Sequence, residues 1–396
     1  MMRSSLISSI RRPGFRVRPL LVFWHRWFGL FAALWLALMA ITGSAVVYYE
    51  ELDSWLNPDL RQVEVITPAL PPETWLGAAK AEYPDRFIRF VDLPDAPDKS
   101  VRIAMPYVEE GKGDEIEVYV DPYTAKVLGY RAHDVMSLQP RYLMNFLYGL
   151  HLDLHLGDAM FWFLGLVAFL WIFDHLVSLV LSFPVLRKWL ASFRVRWRSG
   201  GHKMTFDLHR AGGLWFFPVT LMFAVSAVYF NWYTFFVSSV NAVSPVTQRA
   251  IFTLPTRETP DFGPPVSFAD ALAEAGAVEG RPGIDMASYN PWKGVYELRA
   301  YDPRDIDNYG RRMIVVDGES GSVLSDRHSA EGSAGDVFIA WQYPLHSGKA
   351  FGGVGRAIIF VSGIALFMLC VTGILIWWRK FKARAKRRKT LRTLSV

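Results

Sequence analysis

The sequence predicts an α-helical membrane protein: a four-helix transmembrane bundle that carries two α+β modules outside the membrane and is internally duplicated. Three observations predict this class. Four long runs are almost free of charged residues, acidic and basic residues are divided unevenly among the segments between them, and the two halves of the chain repeat the same order of features. A chain of 396 residues is long enough for two or three structural units.

Each apolar run is long enough to cross a bilayer, which requires about 20 predominantly apolar residues. Residues 27–49, 211–248 and 357–378 contain no charged side chain. The remaining run, 159–186, contains only Asp174 and the histidine that follows it. The first run exceeds the apolar core of a cleaved signal peptide, which spans roughly 7–15 residues, so we expect it to remain as an anchor.

Basic residues cluster in three segments that lack acidic side chains. Residues 1–20 contain five Arg, residues 187–203 contain six Lys or Arg, and the tail from Arg379 contains nine. Acidic residues are concentrated in 50–150 and 238–350. The positive-inside rule predicts that both termini and the basic loop are cytoplasmic and that the two long segments lie outside. We expect no nucleic-acid partner, because the basic clusters lie beside helices that contact the lipid bilayer.

These features divide the chain into consecutive segments with predicted bounds. They are the cytoplasmic N-terminus (1–20), the first transmembrane helix (21–49), the first outer module (50–150), the second transmembrane helix (157–186), the basic cytoplasmic loop (187–206), the third transmembrane helix (207–237), the second outer module (238–345), the fourth transmembrane helix (351–378) and the basic cytoplasmic tail (379–396).

The two halves resemble each other in sequence. The stretch "HRWFGLFAALWLALMAITGSAVVYY" from His25 is similar to "HRAGGLWFFPVTLMFAVSAVYF" from His209. Each is followed by an outer segment with a predicted hairpin, "VYVDPYTAKVLGY" at 118–130 and "MIVVDGESGSVLSD" at 313–326. Helices are predicted upstream of the hairpins at 73–82 and 268–275. A duplication with parallel topology implies a pseudo-two-fold axis along the membrane normal.

Six histidines lie in or beside the predicted spanning helices, and they form two layers, one at each face of the membrane. The cytoplasmic layer contains His25, His209 and His175, and the outer layer contains His151, His155 and His346. Ionisable groups inside a membrane are rare and usually functional. One interfacial histidine can serve as a polar anchor, but six in two layers that follow an internal repeat indicate a cofactor.

Haem is the cofactor that this pattern favours. Neutral imidazole is a good iron ligand, and helix bundles commonly hold cofactors between facing helices. Zinc would favour nearby Cys or carboxylate ligands. The single cysteine, Cys370, cannot build a disulfide, zinc or iron–sulfur site within one chain. We therefore expect haem b, with one haem at each face and two in all.

The repeat predicts which histidines pair and leaves two choices open. His25 is expected to face His209 across the pseudo-two-fold axis. His346 is expected to pair with His155 or with His151. His175, in the second transmembrane helix, has no counterpart in the repeat. It would either replace an inner ligand or bind a quinol together with Asp174.

Two arginines follow the cytoplasmic histidines directly. Arg26 and Arg210 lie at the expected membrane surface, where water begins. A guanidinium group suits bidentate binding of a carboxylate, so we expect both to pair with haem propionates. The alternative is that they bind lipid head groups.

With these motifs identified, the chain resembles the PepSY-associated transmembrane proteins, a family, often iron-regulated, that includes inner-membrane ferric-siderophore reductases. The resemblance rests on "HRWFGL", "HRAGGLW", "HLDLH", "YPLHSG" and the two hairpins with "VDP" and "VDG", and it covers residues 24–380. It implies PepSY-like outer modules and a haem reductase of the bacterial inner membrane. Such a protein passes electrons to a ferric siderophore or another Fe(III) chelate in the periplasm. The resemblance carries ligand roles onto His25, His209, His346 and either His151 or His155, with His175 a further candidate.

The sequence also limits the electron donor and the reaction class. It contains no G-x-G-x-x-G after a strand and no P-loop, so we expect an external donor, either a cytoplasmic reductant or membrane quinol. The sequence contains neither a Ser-His-Asp order nor an H-E-x-x-H motif, which argues against a hydrolase. No catalytic side chain is assigned. Two alternatives remain: a non-enzymatic envelope regulator whose outer modules bind a partner, and a siderophore transporter. The transporter is disfavoured because no broken helix pair with buried charges is evident.

Overall fold

The computed structural model describes residues 17–108, 114–133, 135–280, 283–307 and 310–394. Most of the predicted N-terminal segment, 1–20, lies outside the described residues, and its cytoplasmic location remains a prediction. The described residues form two compact units. The first unit comprises residues 17–38, 167–221 and 365–394, and the second unit comprises residues 39–166 and 222–364.

Helices account for most of the described residues. In chain order they are α1 (Val17–Val46), α2 (Tyr49–Leu56), α3 (Pro58–Arg61), α4 (Pro72–Glu82), α5 (Leu143–Leu152), α6 (Asp158–Ser182), α7 (Gly201–Trp215), α8 (Phe217–Asn231), α9 (Tyr233–Asn241), α10 (Ala250–Thr253), α11 (Phe268–Ala277), α12 (Ala334–Ala340), α13 (Gln342–Ser347) and α14 (Gly352–Leu394). Short 3-10 helices lie at Leu186–Phe193 and Lys349–Phe351.

Three stretches of helix are long and apolar enough to cross a membrane: Val17–Val46, Asp158–Ser182 and Lys349–Arg388. A fourth candidate is the pair formed by α7 and α8, which is long and apolar enough to cross a membrane when the two helices are taken together. The described part of the chain therefore has three such spans, or four if the bent pair counts as one. They lie where the sequence predicts spanning segments.

The third predicted span differs from the expected single helix. Its two parts, α7 and α8, are bent by 65° at Phe216. Pro218 lies in the first turn of α8, where a proline cannot continue the preceding helix because it lacks an N–H and clashes with the carbonyl four residues earlier. The expectation that the chain has no broken helix pair with buried charges was therefore wrong, because α7 and α8 form a bent pair and Asp207 on α7 is buried. This argument against a transporter no longer holds.

The last helix is longer than predicted. The sequence places the end of the fourth span at residue 378 and treats the basic tail as a separate segment, whereas α14 continues to Leu394. Residues 379–394 contain neither Gly nor Pro and are rich in Lys and Arg, which favour helix. The basic tail is thus a helical extension of the span.

The strands form one eight-stranded antiparallel sheet. They are β1 (Phe90–Asp92), β2 (Val101–Met105), β3 (Ile116–Val120), β4 (Val127–Ala132), β5 (Ile284–Asn290), β6 (Val295–Ala300), β7 (Arg312–Asp317) and β8 (Val323–His328), in the order β4-β3-β2-β1-β5-β6-β7-β8. The two predicted hairpins are β3–β4 and β7–β8, and the two predicted helices upstream of them are α4 and α11.

The two outer segments share this sheet rather than forming separate modules. The junction is the antiparallel pair β1–β5, in which Val91 lies opposite Ala287. Helices α4 and α11 contribute Trp75 and Phe268 to one hydrophobic core that also contains residues from both halves of the sheet. Burial alternates along β5, as expected for a strand with one face on a core. The second unit therefore buries apolar residues of both segments together.

A buried ionic cluster ties this sheet to α2 and α5. Arg131 on β4 donates to Asp53 Oδ1 through Nη1 at 2.7 Å and to Glu117 Oε2 through Nε at 2.6 Å. All three side chains are at most 1 % exposed. Asn145 of α5 donates to the same Glu117 oxygen at 3.3 Å and accepts from the Tyr49 hydroxyl. The cluster therefore anchors the helix that carries His151.

The charges in this cluster favour the ionised form of Glu117. Burial alone would raise the pKa of the Glu117 carboxyl, but Arg102, a hydrogen bond with His133, and Arg131 hold that pKa well below its usual range. A carboxyl whose pKa is lower in the folded state stabilises that state above the unfolded-state pKa of about 4.3. This stabilisation is lost as the pH falls through the folded-state pKa.

Candidate functional site

Two histidines of the first unit lie close together, and we call them the first histidine pair. His25 on α1 and His209 on α7 have ring centroids 6.1 Å apart. His25 Nδ1 lies 2.9 Å from Asp174 Oδ2 on α6. His209 Nδ1 lies 3.1 Å from both the Leu369 carbonyl oxygen and Thr372 Oγ1 on α14. Each ring is therefore held through Nδ1.

Two histidines of the second unit form a matching arrangement, the second histidine pair. His151 near the end of α5 and His346 on α13 have ring centroids 6.2 Å apart. His151 Nδ1 lies 3.2 Å from Thr42 Oγ1 on α1, and His346 Nδ1 lies 2.7 Å from Ser226 Oγ on α8. Again each ring is held through Nδ1, here by a hydroxyl group.

The partners of Nδ1 fix the tautomer of the first-pair rings and are compatible with the same tautomer in the second pair. A carboxylate and a backbone carbonyl only accept hydrogen bonds, so the first-pair rings carry their proton on Nδ1. Thr42 Oγ1 donates to the Met39 carbonyl, and Ser226 Oγ donates to the Met222 carbonyl. With their own protons directed to these carbonyls, both hydroxyls can accept a hydrogen bond from Nδ1–H of the histidine. In a ring with its proton on Nδ1, Nε2 is the unprotonated nitrogen that can bind a metal.

The Nε2 atoms have no hydrogen-bonding partner in the described residues, and the ring separations fit a shared metal. Two imidazoles on one ion, with metal–nitrogen distances of about 2.0–2.1 Å and ring radii of about 1.1 Å, have centroids about 6.3 Å apart. The separations of 6.1 and 6.2 Å lie close to this value. The ring separations therefore match those of two imidazoles bound to one metal ion.

Protein side chains alone do not complete a metal site here. The described residues contain no group of three or more His, Cys, Asp or Glu side chains that could hold an ion. A porphyrin supplies four nitrogen ligands of its own, so haem iron needs only two further ligands from the protein. Two histidines per site therefore fit haem and do not fit a zinc centre built from protein ligands.

Glycines bring a helix backbone close to one ring of each pair. A Cβ atom on Gly43 of α1 would lie 2.7 Å from His151 Cε1, and a Cβ atom on Gly373 of α14 would lie 3.1 Å from His209 Cε1. Both are closer than ordinary carbon–carbon contacts. Any larger residue at Gly43 would displace the His151 ring, so glycine is required at this position.

Three polar groups beside the first pair are buried without a hydrogen-bonding partner among the described residues: Trp24 Nε1, Arg26 Nε and Arg210 Nε. The Arg26 guanidinium lies over the ring of Trp27, 5.3 Å from its centroid. Arg210 Nη2 donates to Asp207 Oδ1 at 3.3 Å. Buried donors normally have a partner. The Nε–H donors of Arg26 and Arg210, which lack a partner in the described part of the chain, fit the carboxylate-binding role expected from the sequence.

The other two candidate histidines have their own partners. His155 stacks on Phe146, with ring centroids 5.3 Å apart, and its Nε2 lies 2.9 Å from the Phe146 carbonyl oxygen. His175 has both nitrogens in hydrogen bonds, Nδ1 with the Trp171 carbonyl oxygen at 2.8 Å and Nε2 with Thr220 Oγ1 at 3.1 Å. Both nitrogens of His175 are therefore engaged, whereas the ring of His155 is held against Phe146 through Nε2. The acidic residue before His175, Asp174, contacts the first pair.

The rings of the second pair are neutral. Burial lowers the pKa of His151 to about 4. Burial, together with the neighbouring His151, lowers the pKa of His346 to about 3. Both lie on short helices outside the candidate spans. At pH 7 these imidazoles are therefore in the form that binds metal, because a histidine must be deprotonated to act as a ligand.

The hydroxyl groups that hold the rings were missed by the sequence analysis. Thr42, Ser226 and Thr372 are ordinary residues of apolar helices, where hydroxyls usually bond to the preceding turn. One signal was present: Thr42 lies 17 residues after His25, and Ser226 lies 17 residues after His209. The repeat thus contains a histidine and a hydroxyl at a fixed spacing.

Comparison with known proteins identifies a family that matches most of the chain. The sequence model of the family described as the PepSY-associated TM region matches residues 22–380. The matched stretch contains every histidine and arginine considered above. No curated protein matches the chain.

Proposed function

The chain belongs to the PepSY-associated TM region family, and from that premise we propose that it is a haem-dependent oxidoreductase that reduces a ferric siderophore or other Fe(III) chelate. The observation that carries this proposal is the presence of two histidine pairs whose ring separations are 6.1 and 6.2 Å. In all four rings Nδ1 forms a hydrogen bond, and Nε2 has no hydrogen-bonding partner among the described residues.

The residues of the two pairs have distinct roles in this proposal. His25 and His209 would hold one haem b, and His151 and His346 would hold a second. When bound, haem supplies the one-electron carrier that protein side chains lack. The groups bonded to Nδ1 keep the proton on that nitrogen and orient each ring.

The arginines beside the first pair complete the binding groups. Arg26 and Arg210 each have a buried Nε donor without a partner among the described residues. A haem propionate is a carboxylate, and a guanidinium group binds carboxylates through two parallel hydrogen bonds. We assign both arginines to the propionates of the haem held by the first pair.

The reaction transfers one electron to each chelated Fe(III) and yields Fe(II). A quinol donor would supply two electrons and release two protons, so it would reduce two ferric chelates. A cytoplasmic reductant such as a reduced flavin or dinucleotide would also supply two electrons and so reduce two ferric chelates. Reduction releases the iron because Fe(II) carries less charge and is held less tightly by hard oxygen ligands.

The proposal includes a topology. The four spans form a bundle that arose by duplication, in the bacterial inner membrane, with both termini in the cytoplasm and the eight-stranded sheet in the periplasm. Three features support it: the basic segments at 187–203 and 379–394, the equal spacing of histidine and hydroxyl in the two repeats, and a strand order that runs outward from β1 and β5 in both directions.

Anaerobic reoxidation of the reduced protein tests this function. The purified full chain is reduced with dithionite, freed of excess reductant and mixed with a ferric trihydroxamate chelate in the presence of an Fe(II)-specific chromogenic chelator. We expect two Fe(II) per chain, one for each reduced haem. The Ga(III) form of the same chelate, which cannot accept an electron, should leave the protein reduced. Fe(II) no higher than in a protein-free control would contradict the proposal.

A further inference from the structure

The two histidine pairs differ in the charge of the groups that hold them. His25 Nδ1 is bonded to the Asp174 carboxylate, with distances of 3.1 and 2.9 Å to its two oxygens. The other three rings are bonded to neutral acceptors: the Leu369 carbonyl and Thr372 hydroxyl for His209, the Thr42 hydroxyl for His151 and the Ser226 hydroxyl for His346. An acidic group therefore acts on the first pair alone.

The Asp174 carboxylate has little else to compensate its charge. Asp174 is 5 % exposed and lies in the apolar helix α6. Within the described part of the chain, its hydrogen bonds go to His25 alone. Burying a charge without a partner costs free energy, and an opposite charge nearby offsets this cost. A cation bound to Nε2 of His25 would provide that opposite charge across the ring.

From this asymmetry we propose that Asp174 is a positioning residue that lowers the reduction potential of the haem held by the first pair below that of the haem held by the second. The inference rests on the proposed function. A carboxylate that accepts from Nδ1–H makes the imidazole a stronger donor to the metal. It therefore stabilises Fe(III), which has one more positive charge, more than Fe(II).

The consequence is a direction for electron transfer. Electrons move spontaneously from the centre of lower potential to the centre of higher potential. The first pair lies on α1 and α7 beside the basic segments, and these are the segments that the positive-inside rule assigns to the cytoplasm. A carboxylate at this pair thus favours flow from the cytoplasmic side towards the chelate.

Spectroelectrochemical titration of the full haem-loaded chain tests the role of Asp174. The substitution Asp174→Asn keeps the size and a hydrogen-bond acceptor but removes the charge. We expect it to shift the reduction equilibrium of one haem at least tenfold towards Fe(II), which is about 59 mV for one electron, and to leave the other haem unchanged. The same titration in a His346→Ala background, where only the first-pair haem remains, assigns the shifted potential.

Two variants serve as controls. Asp158→Asn makes the same exchange at an exposed position in the first turn of α6 and should leave both potentials unchanged. Asp174→Glu keeps the carboxylate and should stay closer to the wild type than Asp174→Asn. If the asparagine variant binds no haem at the first pair, haem retained by the glutamate variant supports the requirement for charge.

Several results would overturn the inference while leaving the proposed function intact. They are an unchanged potential in a haem-loaded Asp174→Asn protein, an equal shift of both haems, an equal shift in the asparagine and glutamate variants, and loss of the first-pair haem from both variants. A wild-type chain that binds no haem would instead refute the proposed function itself.

Discussion

His346→Ala is expected to remove one haem of two and to leave the other in place. His346 supplies one of the two protein ligands of the second pair, and its Nδ1 is held by Ser226 at 2.7 Å. With alanine there, His151 would be the only histidine left at that site. The first pair belongs to the other compact unit. The dithionite-reduced minus oxidised spectrum should therefore lose about half of its α-band intensity.

His155→Ala is the matched control for this substitution. His155 follows the second pair's His151 by four residues in "HLDLH" but its ring stacks on Phe146. We expect this variant to retain both haems, which also decides between the two outer histidines that the sequence left open. Loss of both haems from a folded His346→Ala protein, or full retention of both, would contradict the assignment of two separate pairs.

Arg131→Met is expected to destabilise the eight-stranded sheet by about 3–5 kcal/mol, because removing a fully buried cation leaves the two buried carboxylates with one positive charge fewer to compensate them. Arg131 is fully buried and bonds to the buried carboxylates of Asp53 and Glu117. Methionine fills a similar volume but cannot donate to either. Thermal unfolding of the purified protein, followed by tryptophan fluorescence, measures the change.

Arg89→Met provides the comparison for Arg131. Arg89 also pairs with a carboxylate beside the sheet, that of Glu115 at 2.6 Å, but its side chain is 50 % exposed. Exposed pairs contribute about 0–1 kcal/mol. We expect the free energy of unfolding of the Arg89 variant to lie within about 1 kcal/mol of the wild-type value. Equal effects of the two substitutions would show that burial of the cluster does not determine its contribution.

The membrane helices were predictable because each apolar run exceeds the length that a span requires, but the bend was not. Pro218 lies inside a run whose hydropathy is continuous on both sides, and composition alone does not show a change of helix direction. The pairing of β1 with β5, which joins the two halves of the sheet, was also not predictable. Strand β1 has only three residues, Phe90–Asp92, and such a short segment gives no periodic signal that would identify β5 as its partner.

The histidine pairs were partly predictable from the repeat. His25 and His209 begin equivalent helices, which was enough to expect that they meet. The choice of His151 over His155 was also present in the sequence, since "YGLH" ending at His151 parallels "YPLH" ending at His346. The groups bonded to Nδ1 were not predictable, because a carboxylate or hydroxyl on another helix is brought to the ring only by tertiary packing.

Haem stoichiometry of the purified full chain tests the central claim most directly. The chain is expressed with ample haem supply, and haem b is determined by the pyridine haemochrome spectrum relative to protein. The two pairs predict two haems b per chain, with a Soret band and sharp α and β bands on reduction with dithionite. A colourless protein that is folded and inserted in the membrane would contradict the claim that these histidines hold haem.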